Sequence, residues 1–150
     1  MTNKVKNNSE VKFVEKLKKE FLDELNNNFK DFKEVKKSYN YILKDPLSNP
    51  EVLDEPIHDM ASWEFEIVNN MNLLLDKIFN KIGEEYGIPS PQAFNKLRDK
   101  LTDLEQEVYD DGNDEEVTYI HEEILWFLTD LLFMKWEVMT FLACECPLYN

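Results

Sequence analysis

Glycine and proline are scarce in this chain: Gly occurs only at 83, 87 and 112, and Pro at 46, 50, 56, 89, 91 and 147. A phosphate cradle of the Walker or dinucleotide type needs clustered glycines so that backbone N–H groups can approach phosphate. Three scattered glycines exclude one. No G-x-S-x-G elbow is present either. The two cysteines, Cys144 and Cys146, lie too close together for a structural staple, and so few fit a reducing compartment. Lys4 and Lys6 are followed by polar residues, so no secretory signal is expected. The most apolar stretch, Ile124 to Ala143, is interrupted by Asp130, Lys135 and Glu137, which excludes a bilayer-spanning helix.

Basic residues are the most unevenly missing. Seventeen Lys and Arg face 31 Asp and Glu, a net charge of −14 over 150 residues. Residues 1–44 carry eleven lysines and seven acids; residues 45–150 carry six bases and twenty-four acids. Such a chain repels nucleic acid and anionic membranes and attracts basic surfaces. Residues 103–123 hold ten acids and no Lys or Arg: Asp103, Glu105, Glu107, Asp110, Asp111, Asp114, Glu115, Glu116, Glu122 and Glu123, with Tyr109 and Tyr119 among them. Residues 51–66 hold six more, Glu51, Asp54, Glu55, Asp59, Glu64 and Glu66, again with no base. The alternative to a binding surface here is a merely solvated acidic face.

What is abundant is apolar: 43% of residues are hydrophobic and 13% aromatic, enough for a sizeable core in one domain. The few breakers divide the chain into long segments of helical period. From a cap at Ser9, apolar residues from Val11 to Ile42 recur every three or four, with Asn26-Asn27-Asn28 as a candidate break into two helices. Residues 46–56 read as a connector. A helix starting at Pro56 or Ser62 carries the stripe Trp63, Ile67, Met71, Leu74, Ile78 and Ile82 and stops at Gly87. Ser90-Pro91 reads as an N-cap with Pro at the first helical position, followed by Phe94, Leu97, Leu101, Leu104 and Val108.

Residues 110–114 read as a turn, and Asp114, Glu115 and Glu116 suit the positive end of a last helix running to about Glu145. Of residues 117–142 seventeen are apolar, which places that helix at the centre of the fold. No alternating strand pattern occurs. The expected architecture is all-α: a single domain, 1–150, forming a compact bundle of four to six helices around a long apolar C-terminal helix, with 1–8 a flexible N-terminus. The expected core is Trp63, Ile67, Met71, Leu74, Ile78, Leu97, Leu101, Ile124, Leu128, Leu131 and Leu132.

Candidate chemistry is incomplete. His121 with Cys144 or Cys146 is a possible nucleophilic pair, but a Cys on an apolar helix is usually core. His58, His121, Cys144 and Cys146 lack zinc-site spacings. Glu55-Pro56-Ile57-His58 matches the E-x-x-H of di-iron bundles, yet Thr118 stands three before His121 where a second copy needs Glu. Glu116, Glu123, Asp130 and Glu137 recur every seven residues, so they run along one helix face. Glu122–Leu128, E-E-I-L-W-F-L, resembles the second metal helix of all-α nucleotide pyrophosphohydrolases of the dimeric dUTPase type. That resemblance implies Mg²⁺-dependent cleavage of a nucleoside triphosphate. The family pattern needs E-x-x-E and E-x-x-D; Glu107-Val108-Tyr109-Asp110 supplies one E-x-x-D on a different helix, and Asn69 and Asn72 stand where carboxylates belong.

In physical type the chain resembles immunity proteins, which protect a bacterium from nuclease toxins of its own kind. It is compact, acidic, helical and free of catalytic motifs, whereas nuclease clefts are basic because they attract phosphate. The expectation is therefore a non-enzymatic, cytoplasmic acidic binding protein. It is most simply an immunity or inhibitor protein for a basic partner such as a nuclease toxin, with no cofactor, no metal, no direct nucleic-acid contact and no membrane partner. Two other readings stand beside it: another acidic interaction module, such as a nucleic-acid mimic or anti-defence protein, and the Mg²⁺-dependent pyrophosphohydrolase. The expected partner surface is Asp103 to Glu123, with residues 51–66 as a possible second patch.

Overall fold

The computed structural model describes residue 5, residues 7–29 and residues 62–140. Within them every regular element is helical: α1 (Ser9–Phe29), α2 (Ser62–Tyr86), α3 (Ser90–Asp110), α4 (Asp114–Tyr119), a π-helical turn (Ile120–Leu125) and α5 (Trp126–Thr140). His58, Cys144 and Cys146 lie outside the described residues, as do the side chains of Trp63 and Ile67. No helix among the described residues is long and apolar enough to cross a membrane.

The helix ends follow from local chemistry. Asn8 caps α1, its Oδ1 accepting from the N–H of Glu10 at 2.9 Å and of Val11 at 3.4 Å. Ser9, the cap expected from sequence, is the first helical residue and bonds Glu10 instead. The helix runs unbroken through Asn26–Asn28: Leu25 is fully buried while Asn26 and Asn27 face solvent. Tertiary burial thus overrides the weak preference of Asn for turns.

α2 ends at Gly87, whose φ of +65° only glycine adopts freely. Its N–H bonds the Glu84 carbonyl and that of Ile88 reaches the Gly83 carbonyl, both at 3.3 Å, which together make a Schellman stop. Gly83 permits the sharp return, because a Cβ there would lie 3.1 Å from the Ile88 carbonyl oxygen. α3 then begins behind Pro89, not Ser90, with Pro91 in its first turn.

The described residues form two compact units, those within Met1–Phe21 and Ile78–Thr129, and those within Leu22–Lys77 and Asp130–Asn150. In the first, α3 buries Phe94, Leu97, Leu101, Leu104 and Val108, the face its three- and four-residue spacing predicts. Phe94 stacks on Phe79 at 5.0 Å between centroids, and Phe21 meets Phe127 edge-on at 6.2 Å. In the second, Leu25, Met71, Leu74, Leu131, Met134 and Val138 are buried.

The last helical stretch departs from expectation. It is interrupted by the π turn, and it exposes Trp126 by 52%, Leu132 by 37%, Trp136 by 59% and Met139 by 50%. Leu132 is therefore not a core residue. Four residues after buried Leu128, it sits at the edge of the buried face and turns toward exposed Trp136 and Met139, a distinction that a helix apolar all round conceals from periodicity.

Candidate acidic interface

The acidic run is shaped by one turn. At the end of α3, Gly112 takes φ +78°. The N–H groups of Gly112 and Asn113 close on the carbonyls of Tyr109 and Val108 at 2.9 and 3.3 Å. Asn113 then caps α4, its Oδ1 accepting from the Glu116 N–H at 3.3 Å. The expected turn over 110–114 is present, and Asp114, Glu115 and Glu116 open the next helix as their charge predicts.

Spacing along α3 places Asp103, Glu107 and Asp110 on its outward face, opposite Leu101, Leu104 and Val108, and all three are exposed. Asp111, Asp114 and Glu115 continue the exposed acids around the turn, with Tyr109, 61% exposed, among them. Asp110 accepts from Gln106 at 3.0 Å. Glu107 and Asp111 also have partners.

Helix-end electrostatics divide these acids. Asp114, Glu115 and Glu116 sit in the first turn of α4, where the positive end of the helix dipole favours them. Glu107 and Asp110 lie in the last turn of α3, which contains no basic residue. There each negative charge opposes the dipole, at a typical cost of about 0.3–1 kcal/mol.

Some expected contact residues lie elsewhere. Glu116 is only 9% exposed, on the stripe it shares with Ile120 and Ile124, and its Oε1 is buried without a hydrogen bond. It sits beneath the surface its neighbours form. Tyr119 is half-buried and donates its hydroxyl to Glu15 Oε1 at 2.7 Å, so it is tied to α1 rather than presented outward. Burial, that bond and the nearby Glu15 and Glu123 carboxylates all raise its phenol pKa above the ordinary value.

Glu123 pairs with Lys18 at 3.1 Å. The acidic run is thus partly compensated by a base more than a hundred residues away in sequence, which no scan of residues 103–123 reveals. Glu105, the least exposed acid on this part of α3, meets His121 Nδ1 at 3.2 Å. Glu122 is exposed.

Of the second patch, Glu51, Asp54, Glu55 and Asp59 fall outside the described residues, and Glu64 and Glu66 fall on α2 with side chains that are not described.

The carboxylate row Glu116, Glu123, Asp130 and Glu137 does not form a ligand set. Glu116 is buried and Glu123 is engaged by Lys18. Among the described residues no group of three His, Cys, Asp or Glu is placed to hold a metal ion. Asn69 and Asn72 remain amides on α2 where the metal-enzyme pattern wants acids.

Two features were not anticipated. Tyr86 lies beneath two cations, Lys96 at 5.7 Å and Lys100 at 5.2 Å from its ring centroid. Burial, with the Glu10 and Glu85 charges, pushes its pKa up to about 12. A cleft of about 320 Å³ lies between α1 and α2, lined by Phe13, Lys16, Glu20, Lys81, Glu84 and Glu85, with Lys81 and Glu20 paired across it. The lysine–aromatic spacing of α3 over Tyr86 was the available sequence signal for the first; nothing in the sequence marks the second.

No protein-family model, no curated protein and no solved structure matches this chain.

Proposed function

We propose that this chain is a non-enzymatic acidic binding protein. Its contact surface is the outward face of α3 and the turn after it: Asp103, Glu107, Tyr109, Asp110, Asp111, Asp114 and Glu115. The observation that carries this reading is charge held against helix-end electrostatics. Glu107 and Asp110 cost stability where they stand, and exposed Asp103 adds repulsion one turn from Glu107. A basic partner converts that cost into attraction on binding. Long-range attraction speeds encounter, and Tyr109 supplies a rigid, exposed anchor among the carboxylates.

Within that class the reading is an immunity or inhibitor protein in the cytoplasm, and its partner is a basic nuclease toxin. Nuclease clefts are basic by necessity, and carboxylates can occupy phosphate sites or an adjoining basic surface. Co-expression with the untagged product of the adjacent gene tests this. The expected result is a salt-sensitive complex in which nuclease activity is lost. A neighbour that neither co-purifies nor cleaves nucleic acid would count against the inhibitor reading.

A further inference from the structure

Beside the acidic face, three side chains, one each from α3, the π-helical turn and α5, form a contiguous flank. Glu105 of α3 meets His121 at 3.2 Å, and the His121 ring meets the Trp126 indole edge-on at 5.2 Å. His121 and Trp126 are five residues apart, a spacing that an α-helix would place well off one face. The π turn brings them together, with the Trp126 N–H bonded to the His121 carbonyl. The indole is 52% exposed, and the exposed Glu122 lies one turn before it.

We propose that this flank is an arginine-binding anchor: the guanidinium of a basic partner lies on Trp126 and is held by the carboxylates of Glu105 and Glu122. This rests on the acidic-binding reading and names which cation that surface prefers. Charge complementarity supports it, since residues 103–123 contain no Lys or Arg to compete and Lys18 is engaged by Glu123. Arginine fits better than lysine because its planar, weakly hydrated head stacks on an indole and offers a fork to a carboxylate, whereas an ammonium is a strongly hydrated point charge. At this end of α5 the carboxylates of Glu105 and Glu122 favour a cation over an apolar group.

Titration of the ¹⁵N-labelled full chain with two short peptides, one Arg-Gly and one Lys-Gly at equal charge, tests the anchor through the three indole N–H resonances. The Trp126 resonance should shift saturably, with the Arg peptide binding about fivefold tighter than the Lys peptide. Trp126→Leu should remove that preference while leaving the helical spectrum and the Lys peptide's affinity unchanged. If both peptides bind alike and Trp126→Leu changes nothing, the anchor is wrong while the acidic face stands. If neither binds, both readings fail. Sedimentation of the free chain as a dimer that Trp126→Leu dissolves would make the flank a self-contact and overturn the anchor.

Discussion

Tyr119 donates a hydrogen bond from its hydroxyl to Glu15, 2.7 Å away and 104 residues earlier in the chain. The bond ties α4 to α1 and takes one of the two tyrosines of the acidic run out of any contact surface. Tyr109, 61% exposed, is left as that run's solvent-facing tyrosine. The same geometry predicts late titration. Absorbance at 295 nm should show Tyr119 ionising above the ordinary range and Tyr86 near pH 12, where burial and the Glu10 and Glu85 charges hold it. Both folded-state values are raised, so their contribution to stability is complete below the unfolded value near pH 10. It is lost as pH rises through the folded values. Glu15→Gln should advance the Tyr119 titration; an unchanged curve would break the assignment.

Glu10 behaves in the opposite sense. Burial raises its pKa, but hydrogen bonds from Lys100, its own backbone N–H and Ser9 outweigh burial, and the net value lies below the ordinary carboxylate value. Its stabilising contribution is present above pH 4.5, the unfolded value, and fades as pH falls through the folded one. Lys100→Met should flatten part of the acid limb of a stability–pH curve. An identical limb in the variant would contradict the pairing.

Core truncations should separate two leucine-like positions that periodicity treats alike. Phe94→Ala, which removes a buried ring stacked on Phe79, should cost about 3–5 kcal/mol in denaturant unfolding. Leu132→Ala, at an exposed site, should cost roughly 0.5 kcal/mol or less. Comparable losses would mean that the exposed face of α5 is buried in solution. Gly87→Ala, forced to hold φ +65°, should cost about 1–2 kcal/mol.

Catalysis is expected to be absent. Incubation with a panel of nucleoside triphosphates and Mg²⁺ or Mn²⁺ should show no turnover above background, because Glu116 is buried and Glu123 is paired. Turnover abolished by Glu123→Gln and Asp130→Asn would restore the pyrophosphohydrolase reading.

Periodicity and breakers carried most of the fold. The α3 stripe, the Gly87 stop, the turn at 110–114 and the absence of strand signals are all local, and the described residues bear them out. The caps expected at Ser9 and Ser90 each lie one residue earlier, because Asn8 offers the better acceptor and Pro89 the better dihedral. The helix through Asn26–Asn28 and the exposure of Leu132 depend on what packs against each face, which no window of sequence contains. At the acidic run the charge was legible but its sorting was not. The Lys18–Glu123 pair, the Tyr119–Glu15 bond and the burial of Glu116 all arise from α1 and the core.

On the proposed function, the outward carboxylates of α3 and its turn serve a basic partner at the expense of the fold. Reversing Glu107, Asp110, Asp111 and Glu115 to Lys measures both sides of that exchange at once. The expected result is an intact helical spectrum and little net change in unfolding free energy: losing Glu107 and Asp110 from the end of α3 gains about 0.3–1 kcal/mol each, while losing Glu115 from the first turn of α4 costs a similar amount. The complex with the basic partner recovered by co-expression should be at least a hundredfold weaker. The loss should appear first in association rate and shrink as salt shortens the Debye length from roughly 30 Å at 0.01 M to about 8 Å at physiological strength. Lys19→Ala, at an exposed position of α1, should leave binding unchanged. A fourfold reversal that unfolds the chain, or leaves the association rate untouched while Lys19→Ala abolishes the complex, would place the contact surface elsewhere.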